Sequence, residues 1–372
     1  MRLRTSRRPP LPLACAAVAL GAVLLLAACD AGGTTGTPGA TATPAGGGQS
    51  SQVPPSSQTP QGTQSPQPPA AIPENCDARG VRVSTASELS VALAAARPGE
   101  TIMLAAGTYR GKFKVTTSGT PSAPITLCGP RAAVLDGGGI DSGYAFHLDY
   151  ASWWRVEGFT VEGGQKGVVA DHASHDLLDG LYVHGTGDEA IHLRDFSSYD
   201  TVSHNIVRDT GLLVAFYGEG IYVGSAHENW CRYSGCQPDA SDYDSIIGND
   251  ISDTTAENID IKEGTVGGFI IGNHFDGTGM VASAATSWVN VKGNDWTIED
   301  NTGINSIGNG LSVHQVYPGW GLRNVFRANQ LSVNGPGYGI YVQSKHLNTV
   351  VACDNTVSDA QSGFSTVKCS PA

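Results

Sequence analysis

Lys262 and Lys292 each end a four-residue alternating segment, and Glu219 and Glu257 each stand two residues ahead of one. The segment recurs six times, at 191–194, 221–224, 259–262, 289–292, 311–314 and 340–343. Its closing positions read Arg194, Gly224, Lys262, Lys292, His314 and Gln343. Two places before its first apolar residue come Glu189, Glu219, Glu257, Ser287, Asn309 and Tyr338. Between the two sets run His192, Tyr222, Asp260, Asn290, Ser312 and Tyr341. Stacked in register, these positions form a cationic column beside a column of three carboxylates.

Such a wall suits β-elimination from a uronic-acid polymer. The proton beside a sugar carboxylate can leave only if the carboxylate's charge is neutralised, because the developing enolate is otherwise too unstable. Calcium held by oxygen ligands supplies that charge. Glu189, Glu219 and Glu257 offer the oxygens, with Asp188 and Asp260 as further candidates. A lysine beside a second cation and a calcium has a lowered pKa and can act as base. Lys262 and Lys292, one coil apart, meet that condition as outward strand residues. Arg194 and His314 could bind neighbouring carboxylates, or His314 could protonate the leaving oxygen. Asp260, Asn290 and Tyr222 face the substrate between the columns.

The positioning elements follow from the same pattern. Apolar residues at every second place mark a strand with one buried face. Each segment precedes a second repeat ending in Asn205, Asn249, Asn273, Asn301, Asn329 or Asn355. These asparagines recur every 24 to 28 residues, with one interval of 44. A coil of that length, with short strands and turns, predicts a right-handed parallel β-helix over 76–372. Its coils lie about 4.8 Å apart, which turns equivalent positions into columns. The asparagines should then form a ladder that satisfies turn backbone groups. Earlier coils at 154–158 and 177–180 place Gly158 and Gly180 where later coils have asparagine. Residues 87–96 read as an amphipathic helix with Leu89, Val91 and Leu93 and Ser87 as N-cap, covering the first coil's open edge.

Glu257-Asn258-Ile259-Asp260-Ile261-Lys262 resembles the glutamate-to-lysine segment of the chondroitinase B and alginate lyase family of β-helix polysaccharide lyases. Gly218-Glu219-Gly220-Ile221-Tyr222-Val223-Gly224 is similar to that family's segment one coil earlier. Pro98-Gly99-Glu100-Thr101-Ile102-Met103-Leu104, followed by Gly107-Thr108-Tyr109, resembles the start of secreted β-helix lyases. The resemblance implies that the glutamate helps to hold calcium and that Lys262 is the catalytic base. Lys292 falls where the family places a second basic residue, usually arginine; lysine lacks arginine's planar bidentate fork. Two other classes stay open on the same fold. One is a uronate epimerase or a glycoside hydrolase, for which Asp188 with Asp260 is the carboxylate pair. The other is a non-catalytic tethered protein that binds polysaccharide on this wall, where Tyr222, Tyr341, Trp288 and Trp320 could stack on sugars.

The chain ends and composition set the compartment. Arg2, Arg4, Arg7 and Arg8, an apolar run and Leu26-Ala27-Ala28-Cys29 read as a lipoprotein signal over 1–29, with Cys29 lipidated. Residues 30–75, rich in Pro, Thr, Ser, Gly and Gln, are too polar to fold and read as a disordered tether. The expectation is an extracellular monomer anchored to the bacterial membrane. Six cysteines remain after Cys15 and Cys29. Cys231 and Cys236 flank a short loop, Cys353 and Cys369 lie near the C-terminus, and Cys76 and Cys128 lie in the first coils. They suffice for three disulfides, and no Cys-x-x-Cys spacing favours zinc. A net charge of -12 with 7% aromatic residues argues against a nucleic-acid partner.

Overall fold

Three parallel sheets of 11, 10 and 10 strands wrap one continuous core, each coil giving one strand to each sheet. This computed structural model describes Cys76 and residues 79–371; Cys29, the signal segment and the tether of 30–75 lie outside the described residues. The wall that matters runs in register as His192, Tyr222, Asp260, Asn290, Ser312 and Tyr341. Their neighbours Ile191, Ile221, Ile259, Val289, Leu311 and Ile340 point inward and are fully buried. Each such aliphatic side chain contributes roughly 1.5–3 kcal/mol relative to exposure, so alternation fixes which face points out.

The asparagines stack as the repeat requires. Asn249 Oδ1 accepts from the backbone N of Asn205 at 3.0 Å and from its Nδ2 at 2.9 Å. The pattern repeats through Asn273, Asn301, Asn329 and Asn355. Each of the six amides also donates to a carbonyl of the preceding coil, as Asn249 does to Val202 and Asn355 to Phe326. One expected position shifts: Gly180 pairs with His204, not with Asn205, and the backbone N of Leu181 binds Asn205 Oδ1. Phe159 and Leu181 therefore occupy the asparagine column. Gly158 and Gly180 occupy the left-handed corner before it, at φ 88° and 62°.

A second ladder was not foreseen. Asp176, Asp200 and Asp244 are buried in one column, each taking a backbone N–H from the previous coil through Oδ1. Asn324 continues the column, taking the N–H of Trp296 and donating its Nδ2 to Gly293 O at 3.0 Å. The three aspartates leave Oδ2 without a partner. That oxygen holds the place of the amide nitrogen in Asn324, which suits a protonated carboxyl. Burial first, and neighbouring aspartates for Asp176 and Asp244, push these carboxyls well above the usual 3.8. An acid raised in the fold gives stability that is full below its unfolded pKa and lost as pH climbs through the folded value. Asp200→Asn should therefore flatten the fall of Tm with rising pH, whereas Asp200→Ala should lose about 1–3 kcal/mol by orphaning the N–H of Asp176. Thermal melts of both variants across pH check this; a Tm profile unchanged in Asp200→Asn would refute it.

Disulfides and a helix add to the ladders. Disulfides join Cys76 to Cys128, Cys231 to Cys236 and Cys353 to Cys369. Helix α1 spans Ala86–Ala95 and buries Leu89 and Leu93 beside Val83, Ile102 and Phe113. Thr85, not Ser87, is its N-cap, accepting from the backbone N of Glu88 at 3.2 Å. Val91 is 67% exposed, since residues two apart cannot share one helical face.

Candidate active site

The outward wall is not open surface. The coil between Asn205 and Asn249 holds the long interval, and its extra residues fold over the columns. They form short helices at Ala215–Tyr217, His227–Asn229 and Trp230–Tyr233. Glu263 ties the second down: its Oε1 accepts from the backbone N of His227 at 2.7 Å and faces Nδ1 at 2.8 Å. Under this cover lies a cleft of about 330 Å³ that includes Lys262, Glu219, Tyr222, Arg194 and Lys166.

Both lysines converge on one carboxylate. Asp260 is 1% exposed and accepts from Lys262 Nζ at 2.7 Å through one oxygen and from Lys292 Nζ through the other. Lys262 Nζ also lies 4.8 Å from the centre of the Tyr222 ring. Burial would lower the Lys262 ammonium, but Asp260, Tyr222 and Glu219 outweigh it and hold the pKa well above the usual lysine value. Burial would raise Asp260, and the two lysines pull it below the carboxylate range. The sequence expectation of outward lysines with lowered pKa is thus corrected for Lys262, which is covered and charged in this state. Its counter-ion is the residue two places earlier on its own strand.

Glu219, Glu257 and Asp260 form a cluster with ligand oxygens within 4.8 Å of one another. Glu219 Oε2 is buried without a partner, and Glu257 Oε1 accepts from Asn290 Nδ2 at 3.1 Å. Burial first, then neighbouring carboxylates, raises both glutamates. An all-oxygen donor set with an orphaned buried oxygen fits a hard cation such as calcium. Glu189 stands apart from this group. It is paired with Lys166 and lies 3.4 Å from His192 Nδ1, so Asp260 takes the third place expected of it. Asp188, the other half of the hydrolase pair, accepts from Gln165 Nε2 at 2.7 Å. Burial raises the Asp188 carboxyl, whereas both oxygens of Asp260 are engaged by lysines and not open to a water.

Arg194 and His314 also differ from expectation. Arg194 is 2% exposed, forked onto Asp171 at 2.5 and 3.0 Å, bonded to Tyr144 Oη at 2.9 Å and stacked on the Tyr233 ring. Its charge is already taken, and it serves as a rigid wall of the cleft. Burial, then Lys292, brings the His314 imidazole down to about 4, so it is neutral at neutral pH. Its Nδ1 faces Asn290 Oδ1 at 2.7 Å, an acceptor whose orientation Glu257 fixes. Nδ1 therefore carries the proton and Nε2 is the bare nitrogen, which is the wrong tautomer for protonating a leaving oxygen from Nε2. Lys166 was missed, although it sits in the carboxylate column one coil before Glu189. Extending the repeat back to Val168-Val169-Ala170-Asp171 would have found it, together with Asp171 as the partner of Arg194.

No family model matches the chain, and no curated protein does. Among solved structures, an alginate lyase from Paenibacillus sp. str. FPU-7 is 35% identical, with TM-score 0.72, over 77% of this chain and 97% of that one. A mannuronic acid specific polysaccharide family 6 lyase from human gut microbiota is 16% identical, with TM-score 0.53, over 76% of this chain and 66% of its own. The pectate lyase Pel9A is 17% identical, with TM-score 0.50, over 76% of each chain. The last two share the fold.

Proposed function

The chain belongs to the right-handed parallel β-helix polysaccharide lyases, the family of the alginate lyase that it matches, and we propose that it cleaves alginate or a closely related uronic-acid polymer by β-elimination. The observation that carries this proposal is the convergence of Lys262 and Lys292 on Asp260 beside Glu219 and Glu257, next to a covered cleft that Lys262 and Glu219 line. In this mechanism Lys292, with the Asn290 amide, orients the uronate carboxylate against the wall. Lys262 takes the proton from the carbon next to it, and the 4-oxygen leaves as the double bond forms, taking up a proton from water in the cleft. Glu219, Glu257 and Asp260 would hold a calcium ion. Such an ion would supply positive charge for the substrate carboxylate and would compete with Lys262 for the Asp260 carboxylate, which favours a neutral amine. Tyr222, between the lysine and His192, packs against the sugar in the cleft.

Absorbance of an unsaturated product, measured on alginate, polygalacturonate and other uronic polymers, tests the proposal. A new ultraviolet band supports elimination. Chain cleavage without that band would indicate a hydrolase, and altered uronate composition without cleavage an epimerase. Polymer retention without any product would leave a binding protein. The setting is also a proposal: a lipid on Cys29 and the tether of 30–75 would hold the enzyme outside the cell, where its polymer lies. Cys29→Ala should move the protein from the membrane fraction to the medium. Its continued retention in that fraction would show another anchor.

A further inference from the structure

Residues 211–218 leave the solenoid as a loop whose neck leaves no room for side chains. A Cβ on Gly211 would lie 2.8 Å from Gly218 Cα, and one on Gly218 would lie 2.6 Å from Gly211 Cα. Both would strike Thr255 Oγ1, which donates to Ala215 O at 2.9 Å. Thr210 Oγ1 closes the other side by donating to Gly218 O at 2.6 Å. The backbone N of Leu213 is fixed to Gly187 O at 2.8 Å. This neck is a compact, internally bonded Ω-loop.

The side chains it presents are apolar and wet. Leu212, Leu213, Val214, Phe216 and Tyr217 are 55%, 45%, 37%, 61% and 51% exposed. A soluble surface that keeps such a cluster in water on a fixed frame marks a contact site. The cluster is continuous with the cleft, because Phe216 and Tyr217 line the same cavity as Lys262 and Glu219. The two rings meet edge to face, 5.6 Å apart at 78°, and form a corner. Pyranose units present flat C–H faces that pack on such rings, while their charged edges can turn to the solvent. The loop carries no Lys or Arg, which an anionic membrane surface would select.

We propose that this loop is a sugar-stacking subsite for polymer units beyond the bond that is cut, with Phe216 as a determinant of preference for long chains. The proposal rests on the lyase assignment of the neighbouring cleft. Full-length Phe216→Ser and Leu213→Ser should fold as the wild type, since both side chains are exposed, and thermal melts check that. KM on polymeric alginate should rise roughly tenfold in Phe216→Ser, the loss of one aromatic contact, and kcat should change far less. KM on a short alginate oligosaccharide should rise far less, so the preference for polymer collapses, and Phe216→Tyr should restore it. Affinity electrophoresis through an alginate gel gives a second readout that does not need turnover. Wild type should be retarded, and Phe216→Ser should migrate faster than wild type. Equal retardation, or no retardation of the wild type, overturns the proposal. So does a variant that changes only sedimentation mass or vesicle binding, which would make the loop a self-association or lipid contact. Retardation that depends on Phe216 without any unsaturated product would sink the lyase mechanism and keep the subsite.

Discussion

Lys262→Ala is expected to lower the rate of unsaturated-product formation by about 10²–10⁴-fold, the range for removing a positioned proton-transfer group. The structure adds a stability cost that an outward lysine would not have. Lys262 pairs with Asp260 under the cleft cover, and leaving a buried charge alone costs about 3–5 kcal/mol. Lys292 still faces Asp260 in the variant, so the loss in thermal melts should fall short of that range. Lys262→Arg separates the two effects: it keeps the charge, and thus most of the stability, but cannot give up its proton. Full turnover in either variant, on a polymer the wild type cleaves, would remove Lys262 from the chemistry. The base would then have to be sought in His314, whose neutral imidazole turns its bare Nε2 away from the Asn290 contact.

The columns were readable in the sequence because two independent periods agree. Alternation decides which face of each strand points out, and the asparagine spacing decides which residues stack. Together they placed Tyr222, Asp260 and Asn290 in adjacent register, as observed. The cover was not readable. It comes from extra residues in the coil after Asn205, which repeat nowhere else and so carry no register. That cover shields Lys262, expected in solvent, while Asp260, Tyr222 and Glu219 beneath it outweigh burial and reverse the expected direction of the Lys262 shift. Lys166 escaped for a different reason: its coil closes with Asp171 instead of a cation, so the repeat was read only from Ile191 onward. The slip at Gly180 has the same character. The left-handed corner and the ladder position are adjacent, and only the pairing of Leu181 with Asn205 separates them.

The second large effect concerns the cation. Glu219, Glu257 and Asp260 crowd three carboxylates around one point, and both glutamates are raised by burial and by neighbouring carboxylates, Asp260 among them. Without an ion that arrangement is repulsive, and Glu219 Oε2 has nothing to bond. If calcium fills the point, the wild type should melt higher as calcium is added. The gain is about 2.7 kcal/mol at a hundred times Kd, or several degrees for a domain of this size. Glu219→Gln removes one charge from the cluster while keeping its shape. The variant should be no less stable than wild type in chelator, should lose most of the calcium-induced rise, and should need more calcium for half-maximal turnover. The melting shift reads the ion directly, whatever happens to catalysis. A wild type indifferent to both calcium and chelator, yet fully active, would leave neutralisation to cationic side chains such as Lys292 and Lys262. An undiminished shift in Glu219→Gln would move the ion elsewhere, with His227, Glu228 and Glu263 as the other group among the described residues able to take it.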